Sequence, residues 1–318
     1  MMSQKKILVT GSLGQIGTEL VLALRGRYGT DNVVCSDLHD TVTPALADGP
    51  YEKIDVLNTV RMAEVVQKYS VNQIIHLAAL LSAVAEKKPT LAFQINLGGL
   101  FNVLELAKET GCAVFTPSSI AAFGPGTPPD KTPQDTIQRP STMYGVTKVA
   151  GELLCDYYAK KYGVDTRGVR FPGLISYAAL PGGGTTDYAV DIYYEALRKQ
   201  AYTSYIGAGT YMDMMYMPDA LNGIMTLIEA DPAKLTHRNA YNITAMSFEP
   251  GQIAAEIRKH IPEFKMSYDV DPIRQAIADS WPNSIDDSVA RADWGWAPKY
   301  DLASMTTDML IQLKKKGV

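Results

Sequence analysis

The sequence is poor in cysteine and has no long apolar run, and both absences restrict what it can encode. Its three cysteines, at positions 35, 112 and 155, form no C-x-x-C pair, and each lies in or beside an apolar segment. We therefore expect buried free thiols in a reducing compartment and no metal site. No apolar stretch approaches the roughly 20 residues of a membrane span, and Met1 to Lys6 lead into a short strand rather than a signal-peptide core. A cytoplasmic protein without a membrane partner is expected.

A surplus of positive charge is also missing. The formal net charge is −4, which leaves no basic surface for nucleic acid or for an anionic membrane. Neither internal repeats nor low-complexity tracts occur. With 318 residues, of which 46% are hydrophobic, the chain can bury the core of a large α/β domain, alone or with a smaller appendage.

Apolar strand-like runs alternate with helix-like stretches through the first half of the chain. This alternation predicts a parallel sheet with helices on both faces. The strand-like runs cover residues 6–10, 32–36, 54–57, 73–79 and 113–119, and the helix-like stretches cover 16–24, 60–69 and 91–110. The proline-rich segment from Gly124 to Pro140 cannot be regular structure.

Three glycines follow the first strand and open the first helix. Gly11, Gly14 and Gly17 are spaced three and three, which is not the standard G-x-G-x-x-G fingerprint and could by itself mark a plain turn. Between a strand and a helix, however, the backbone N–H groups around Gln15 and Ile16 are placed to hold a dinucleotide pyrophosphate.

An acidic residue stands where such a fold needs one. Asp37 lies twenty residues after Gly17 and closes the second strand, where its carboxylate can accept the adenosine ribose hydroxyls. The carboxylate repels a 2′-phosphate, and the residues from Leu38 to Asp40 include no arginine or lysine, which favours NAD over NADP. The alternative is a solvated residue at a strand end. Asp55 and Val56 are predicted near the adenine.

The fourth strand ends in small residues, as a backbone that passes close to a cofactor requires. These residues are Leu77, Ala78 and Ala79. His76, just before them, is interpreted as a packed strand histidine in preference to a catalyst. Asn96 has two open interpretations: a structural side chain that bonds neighbouring strand backbone, or a support for the cofactor and active site.

Two further segments supply chemistry. Tyr144 and Lys148 are four residues apart and share one helix face, where an ammonium beside a phenol favours the phenolate and makes it a general base. Ser118 and Ser119 end the fifth strand and point to opposite faces. We favour Ser119 as the hydroxyl that holds the substrate oxygen. With the glycine loop, these residues indicate an oxidoreductase that transfers a hydride.

In these motifs the chain resembles, over its whole length, the extended short-chain dehydrogenases and reductases, which include the nucleotide-sugar epimerases. The resemblance implies an α/β fold with a seven-stranded, doubly wound Rossmann sheet. It implies an NAD-binding domain over residues 1–172, whose core continues at about 203–245, and a smaller C-terminal α/β substrate lobe over 173–318. It also implies that the nicotinamide lies near Tyr144 and Lys148, that Lys148 bonds its ribose, and that Ser119 polarises the reacting oxygen.

The second half of the chain departs from the epimerases. No lysine or arginine occurs from Phe171 to Leu197, and segment 209–219 has a methionine where the epimerases carry an arginine before the aspartate. A nucleotide-sugar pyrophosphate needs such cations. The Asp-Glu pair of the sugar 4,6-dehydratases is also missing after Ser119, so no acid is available to eliminate water.

Three blocks instead resemble the short-chain-type L-threonine 3-dehydrogenases. They cover residues 181–190, 214–220 and 278–288, the last followed by 290–296. The resemblance implies NAD-dependent oxidation of the L-threonine β-hydroxyl to 2-amino-3-ketobutyrate, usually in a homodimer. A small zwitterion needs hydroxyls and backbone N–H groups for its carboxylate, an acceptor for its ammonium and a cover against water. The candidate substrate residues are Ser82, Ser118, Ser119, Tyr144, Gly184, Thr185, Thr186 and Trp281.

Several alternatives stay open. The glycines at 182–184 either donate to the substrate or form a flexible turn, and Trp281 either caps the pocket or packs in a core or dimer interface. Trp294 and Trp296 are expected to be packing residues, and the methionines at 212, 214, 215 and 217 to fill a core or an interface. An epimerase or reductase that keeps NAD bound, and a non-catalytic NAD sensor, are the competing functions. The missing arginines argue against the first, and the pair Tyr144 and Lys148 argues against the second.

Overall fold

A computed structural model describes residues 5–178 and 182–318 of the chain. Met1 to Gln4 and residues 179–181 lie outside the described residues, and with them Pro181 of the first block that resembles the threonine dehydrogenases. The strands are β1 (Ile7–Thr10), β2 (Val33–Asp37), β3 (Tyr51–Lys53), β4 (Gln73–His76), β5 (Ala113–Phe115), β6 (Ser118–Ser119), β7 (Thr166–Arg167), β8 (Val169–Phe171), β9 (Gly173–Ile175), β10 (Ala201–Ser204), β11 (Met212–Tyr216), β12 (Tyr241–Asn242), β13 (Met246–Phe248) and β14 (Lys265–Tyr268).

The helices surround these strands. They are α1 (Gln15–Tyr28), α2 (Thr59–Lys68), α3 (Ser82–Lys87), α4 (Pro89–Ala92), α5 (Gly99–Thr110), α6 (Met143–Tyr162), α7 (Tyr188–Lys199), α8 (Met217–Glu229), α9 (Pro250–Arg258), α10 (Pro272–Asp279), α11 (Ser288–Trp294) and α12 (Leu302–Lys315). A π-helical segment, Phe93–Gly98, joins α4 to α5. The predicted helical stretch up to Thr110 is therefore one nearly continuous helical run with a widened turn.

The main sheet is parallel, in the order β3-β2-β1-β4-β5-β7. Strand β6 continues the line of β5, and β8 continues the line of β7. Strands β6 and β8 pair in parallel, and β12 pairs in parallel with the outer side of β8. The sheet thus has seven strand positions, and the last is supplied by residues far along the chain. The predicted doubly wound α/β fold is confirmed.

The third strand lies earlier than predicted. Cys35 to Asp37 pair in register with Tyr51 to Lys53, so the apolar run at 54–57 follows the strand instead of forming it. The Asp55 carboxylate accepts the N–H of Leu57 at 2.9 Å and closes a turn there. Ile54 and Val56 are buried, which explains why this turn has an apolar sequence.

The predicted fifth strand is split. Strand β5 ends at Phe115 and β6 begins at Ser118, because Pro117 between them has no N–H to donate to a neighbouring strand. The segment from Gly124 to Pro140 contains no helix or strand, as predicted. It is attached by an isolated bridge between Thr132 and Ile285 and by hydrogen bonds, among them two to the Pro129 carbonyl and one from Gln134 to the Ala240 carbonyl.

A second hydrophobic cluster lies among α7, α9, α12 and the small sheets β13-β11-β9 and β10-β14. Met212 and Met214 pack in this second cluster, whereas Met215 and Met217 pack in the cluster of the main sheet. The chain at β11 therefore joins the two clusters. The prediction that these methionines fill a core is confirmed. Among the residues in the second cluster or packed against it are Ile175, Tyr188, Tyr193, Ile253, Met305, Leu313 and Val318.

The remaining packing predictions also hold. The three cysteines are buried and unpaired, and Trp294 and Trp296 pack at the end of α11 with 8% and 2% of their surfaces exposed. Within the described part of the chain, no helix is long and apolar enough to cross a membrane.

Candidate active site

The glycine loop between β1 and α1 allows very close contacts. Gly11 has φ +70°, and a Cβ there would lie 2.7 Å from the nitrogen of Ala78, just past the end of β4. A Cβ on Gly17 would lie 2.4 Å from the carbonyl oxygen of Gly11. Both positions therefore require glycine, and the backbone at Ala78 passes beside the loop as predicted.

The start of α1 fits a negatively charged group. Gly14 precedes the helix without a side-chain cap, and the first turn has no acidic residue. The first N–H groups of a helix lack intrahelical acceptors and attract anions. The amide Nε2 of Gln15 is buried with no hydrogen-bond partner in the protein. The pyrophosphate of a dinucleotide would satisfy these donors, so the residues present fit the predicted cofactor.

Asp37 is attached to the glycine loop. Its carboxylate accepts the N–H of Leu13 at 3.1 Å and that of Leu38 at 2.8 Å, and only 16% of its side chain is exposed. Asp37 is therefore an ordered carboxylate at the end of β2, not a freely solvated strand end. Leu38 is exposed, and Asp55 and Val56 follow the neighbouring strand β3.

Tyr144 and Lys148 share one face of α6, as predicted. The Nζ of Lys148 lies 5.3 Å from the centroid of the Tyr144 ring and donates to the carbonyl of Pro117 at 2.7 Å. The hydroxyl of Thr142 caps the start of α6, where it accepts the N–H of Gly145 at 3.1 Å. A Cβ on Gly145 would lie 2.2 Å from the Ala121 carbonyl, so only glycine lets the helix approach this closely.

The two serines of β6 differ in their partners. Ser118 donates its hydroxyl to the buried carboxylate of Glu152. The hydroxyl of Ser119 accepts the N–H of Ala121 at 3.2 Å, and Ser119 lines the cleft that also contains Tyr144. Both serines line the cleft, but the hydroxyl of Ser118 is already bound to Glu152, so the prediction that Ser119 holds the substrate oxygen is kept.

Asn96 and His76 support the cleft from behind. The amide of Asn96 accepts the N–H of Leu80 at 2.7 Å and donates to its carbonyl at 3.0 Å, which matches the structural interpretation. Its Nδ2 also lies 3.4 Å from the hydroxyl of Thr147 on α6. His76 shares a 2.8 Å hydrogen bond with Thr10, and burial lowers its pKa to about 3. His76 is therefore a neutral, packed histidine.

The opposite wall carries hydroxyls. Thr185 and Thr186 begin a short 3₁₀ helix, Thr185–Asp187, immediately before α7. The hydroxyl of Thr185 is buried without a partner in the protein. Thr186 can pack close to β9 because Gly173 has no side chain, and a Cβ there would lie 2.8 Å from the Thr186 methyl. Ser82, at the start of α3, lines the same cleft and is buried.

The sequence interpretation missed Asp187. Its carboxylate accepts the N–H groups of Gly183 and Gly184 at 2.7 and 2.6 Å, so these two N–H groups are not free to donate to a substrate, and the contact favours the turn among the two alternatives. Only Gly183 of the three glycines has a positive φ, +95°. Burial raises the pKa of Asp187. The available signal was an acidic residue three positions after a glycine, a spacing typical of a capped turn.

Trp281 is packed on one side and borders the cleft on another. It packs against Ile120, Phe123 and Ile285 and also against the second hydrophobic cluster. It also lines the cleft, and its predicted role as a cap over the substrate stays a prediction. Its removal must therefore affect packing and the cleft together.

One cleft contains most of the predicted site. Its walls include Gly11, Gly14, Gln15, Ile16, Gly17, Leu77, Ala79, Ser82, Ser118, Ser119, Tyr144, Lys148, Gly184, Thr185, Thr186 and Trp281. The predicted residues Asp37, Leu38, Asp55, Val56, Ala78 and Asn96 lie outside these walls. Among the described wall residues, Lys148 is the only lysine or arginine and Asp187 the only carboxylate.

Known proteins resemble the chain over almost its entire length. The model of the NAD dependent epimerase/dehydratase family matches residues 7–244. An uncharacterized epimerase/dehydratase of Staphylococcus haemolyticus is 58% identical over 98% of both chains. An L-threonine dehydrogenase from Clostridium difficile is 62% identical over 99% of both chains, with a TM-score of 0.97. A monomeric L-threonine 3-dehydrogenase from a metagenome is 44% identical, over 98% of this chain and 100% of its own, with a TM-score of 0.94. The resemblance found in the sequence is confirmed.

Proposed function

This chain belongs to the NAD dependent epimerase/dehydratase family, and we propose that it oxidises the β-hydroxyl of L-threonine to 2-amino-3-ketobutyrate with NAD. The observation that carries the proposal is the charge of the cleft, which has one carboxylate, Asp187, and one cation, Lys148, among its described walls. A zwitterionic amino acid matches such a cleft. A nucleotide sugar would need several cations for its pyrophosphate.

Each polar group of L-threonine has a candidate partner. The ammonium is assigned to Asp187, whose carboxylate is already oriented by Gly183 and Gly184. The carboxylate is assigned to the hydroxyls of Thr185, Thr186 and Ser82, because the Thr185 oxygen is buried without another partner. An unpaired buried hydroxyl is unfavourable by itself, so a substrate oxygen beside it would supply the missing bond.

The chemistry follows from Ser119, Tyr144 and Lys148. Ser119 holds the β-oxygen of the substrate, and the phenolate of Tyr144 removes its proton as a general base. The ammonium of Lys148, anchored on the Pro117 carbonyl, stabilises the negative charge on Tyr144 and would contact the nicotinamide ribose of a bound cofactor. The nicotinamide, when bound, accepts the hydride from the β-carbon. Proton and hydride leave together as the carbon becomes a ketone, so the reaction balances without a metal.

The cofactor is proposed to be NAD. The loop of Gly11, Gly14 and Gly17 would hold the pyrophosphate through its backbone N–H groups. Asp37 keeps a negative charge at the end of β2, where it favours a free ribose over a 2′-phosphate. Asp55 and Val56 are assigned to the adenine side.

A homodimer is proposed through α5 and α6. These two neighbouring helices and the π-helical segment expose large apolar side chains that a polar surface would not need. The exposed fractions are 51% for Phe93, 46% for Phe101, 45% for Val146, 63% for Leu153 and 51% for Tyr157. Apolar patches of this kind mark interaction sites.

Two further features are part of the proposed function. The NAD-binding domain is proposed to end at residue 172. A reducing, cytoplasmic location is proposed because it suits three unpaired thiols.

NADH absorbance tests the function directly. Purified protein with NAD and L-threonine as the only substrate should produce NADH, and UDP-glucose in place of threonine should not. Tyr144→Phe should lower kcat by roughly 10²- to 10⁴-fold while NAD binding persists. Tyr211→Phe, at an exposed tyrosine outside the cleft, is the matched control. A flat trace with L-threonine and the wild-type protein would refute the proposal.

A further inference from the structure

The backbone just after β9 is attached to the cofactor helix. The hydroxyl of Ser176 donates to the carboxylate of Glu19 on α1 and accepts the N–H of Ala178 at 2.9 Å. Ser176 is fully buried, and Glu19 stands two residues after Gly17. A single hydroxyl therefore connects the helix at the proposed pyrophosphate site to the chain that leaves β9.

The C-terminal helix holds the same backbone from the other side. Lys316, directly after α12, donates its ammonium to the carbonyls of Tyr177 and Ala178 at 2.9 and 2.6 Å. Its Nζ also lies 5.8 Å from the centroid of the Tyr177 ring. The last residue, Val318, packs against the second hydrophobic cluster, so the end of the chain is anchored where Lys316 acts.

These contacts lie shortly before the proposed substrate residues in the sequence. Ala178 is separated by only three residues, 179–181, from Gly182, and the chain then enters Gly184, Thr185 and Thr186. In the segment from Ser176 to Ala178 the N–H of Ala178 donates to the side chain of Ser176, and the carbonyls of Tyr177 and Ala178 accept two hydrogen bonds from Lys316. The Ser176 hydroxyl in turn donates to Glu19. Burial raises the pKa of the Glu19 carboxyl, and Ser176 and Lys316 act in the opposite direction.

We propose that Glu19, Ser176 and Lys316 are positioning residues that hold the base of the loop carrying Thr185 and Thr186, and so set the affinity for the amino acid substrate. This inference rests on the proposed function. None of the three lines the described cleft walls, so their effect must pass through the backbone at 176–178. Since small displacements of substrate-holding groups are costly for catalysis, removal of an anchor should act on threonine and leave the cofactor cradle nearly intact.

Lys316 offers the cleanest test, because it is exposed and its neighbour provides a matched control. In Lys316→Met the KM for L-threonine should rise about tenfold, with kcat changed much less and the KM for NAD unchanged. Lys316→Arg, which can still donate to two carbonyls, should restore most of the affinity. Lys315→Met, at an exposed lysine of the same last turn of α12, should behave as the wild type.

Glu19 supplies an independent test that does not depend on turnover alone. Glu19→Gln keeps an oxygen acceptor for Ser176 and should retain the threonine KM, whereas Glu19→Leu should raise it. The dissociation constant of NADH, followed by its fluorescence, should stay the same in both variants. An unchanged threonine KM in Lys316→Met and Glu19→Leu would overturn the inference while wild-type activity preserves the proposed function. A parallel rise in the NADH dissociation constant would also overturn it, since that is general loosening of α1. If Lys316→Met does not fold, the Glu19 pair decides.

Discussion

Glu152 and Arg170 form a buried bidentate ion pair behind the cleft wall. Arg170 donates from Nε and Nη2 to the two carboxylate oxygens at 3.0 and 2.8 Å, and the two side chains are 7% and 8% exposed. Glu152 stands one helical turn after Lys148 and also accepts from Ser118. The pair therefore ties α6 to β8, and Glu152 also holds the hydroxyl of Ser118 on β6.

Glu152→Ala should strongly destabilise the fold. Removal of one member leaves Arg170 charged and buried without its partner, which costs about 3–5 kcal/mol. Urea unfolding followed by circular dichroism measures the free energy of unfolding. Glu195→Ala removes the i,i+4 pair with Lys199 on the surface of α7 and should cost at most about 0.5 kcal/mol. Equal losses in the two variants would mean that the buried pair does not align α6.

Thr185→Val should separate stability from binding. The Thr185 hydroxyl has no partner in the protein, so an isosteric methyl should leave the melting temperature unchanged or raise it. The KM for L-threonine should rise by roughly tenfold or more, because a bond to a charged substrate group is lost. A stable variant with a normal threonine KM would remove Thr185 from the substrate site.

The cofactor preference should respond to the charge at Asp37. Asp37→Asn combined with Leu38→Arg removes the repulsion of a 2′-phosphate and adds a cation, while the asparagine oxygen can still accept the N–H of Leu13. The ratio of kcat/KM for NADP to that for NAD should therefore rise. Asp37→Asn alone, as a control, should raise the ratio less. If this ratio is unchanged in both variants, the adenosine ribose does not bind at Asp37.

The proposed dimer should depend on the apolar face of α5 and α6. Leu153→Glu puts a charge on its most exposed large side chain and should convert a dimer to a monomer in light scattering after size exclusion. The control Ile273→Glu, at an exposed position on α10, should leave the dimer intact. A wild-type protein that is monomeric at micromolar concentration would contradict the dimer.

Asp213 should make stability fall as the pH rises. Burial raises its pKa from an ordinary value of 3.8 to about 7, so the folded chain binds more protons than the unfolded chain between these values. The free energy of unfolding therefore decreases as the pH rises through this window. Asp213→Asn cannot titrate, and its melting temperature should exceed that of the wild type increasingly from pH 5 to pH 8. The control Asp48→Asn, at an exposed position, should differ in melting temperature from the wild type by the same amount at every pH. The same constant difference in Asp213→Asn would contradict the prediction.

Local patterns predicted the parts of the site that local geometry determines. Gly11 and Gly17 surround one turn, and Tyr144 and Lys148 lie on one helical turn, so spacing alone was informative. Strand alternation showed that Ser118 and Ser119 point apart. The hydroxyl of Ser118 is bound to Glu152, a partner 34 residues away in the chain, and no local sequence pattern reveals that contact.

Other features depend on competition between groups. The glycine-rich sequence allowed either donors to the substrate or a turn, and the choice depends on Asp187, whose carboxylate lies close enough to accept the N–H groups of both Gly183 and Gly184. The apolar residues Ile54 and Val56 predicted a strand, but the structure buries them beneath a turn instead. Periodicity reports burial more directly than it reports hydrogen bonding.

The late origin of β12 affects how the protein is made. Strand β8 ends at Phe171, but its outer neighbour begins at Tyr241, so about seventy residues must leave the ribosome before that edge is paired. Until then β8 presents unpaired N–H and C=O groups, which can recruit other chains. A polypeptide interrupted before Tyr241 therefore exposes an unpaired strand edge that can pair with other chains. The nascent chain needs protection from aggregation while this segment is translated.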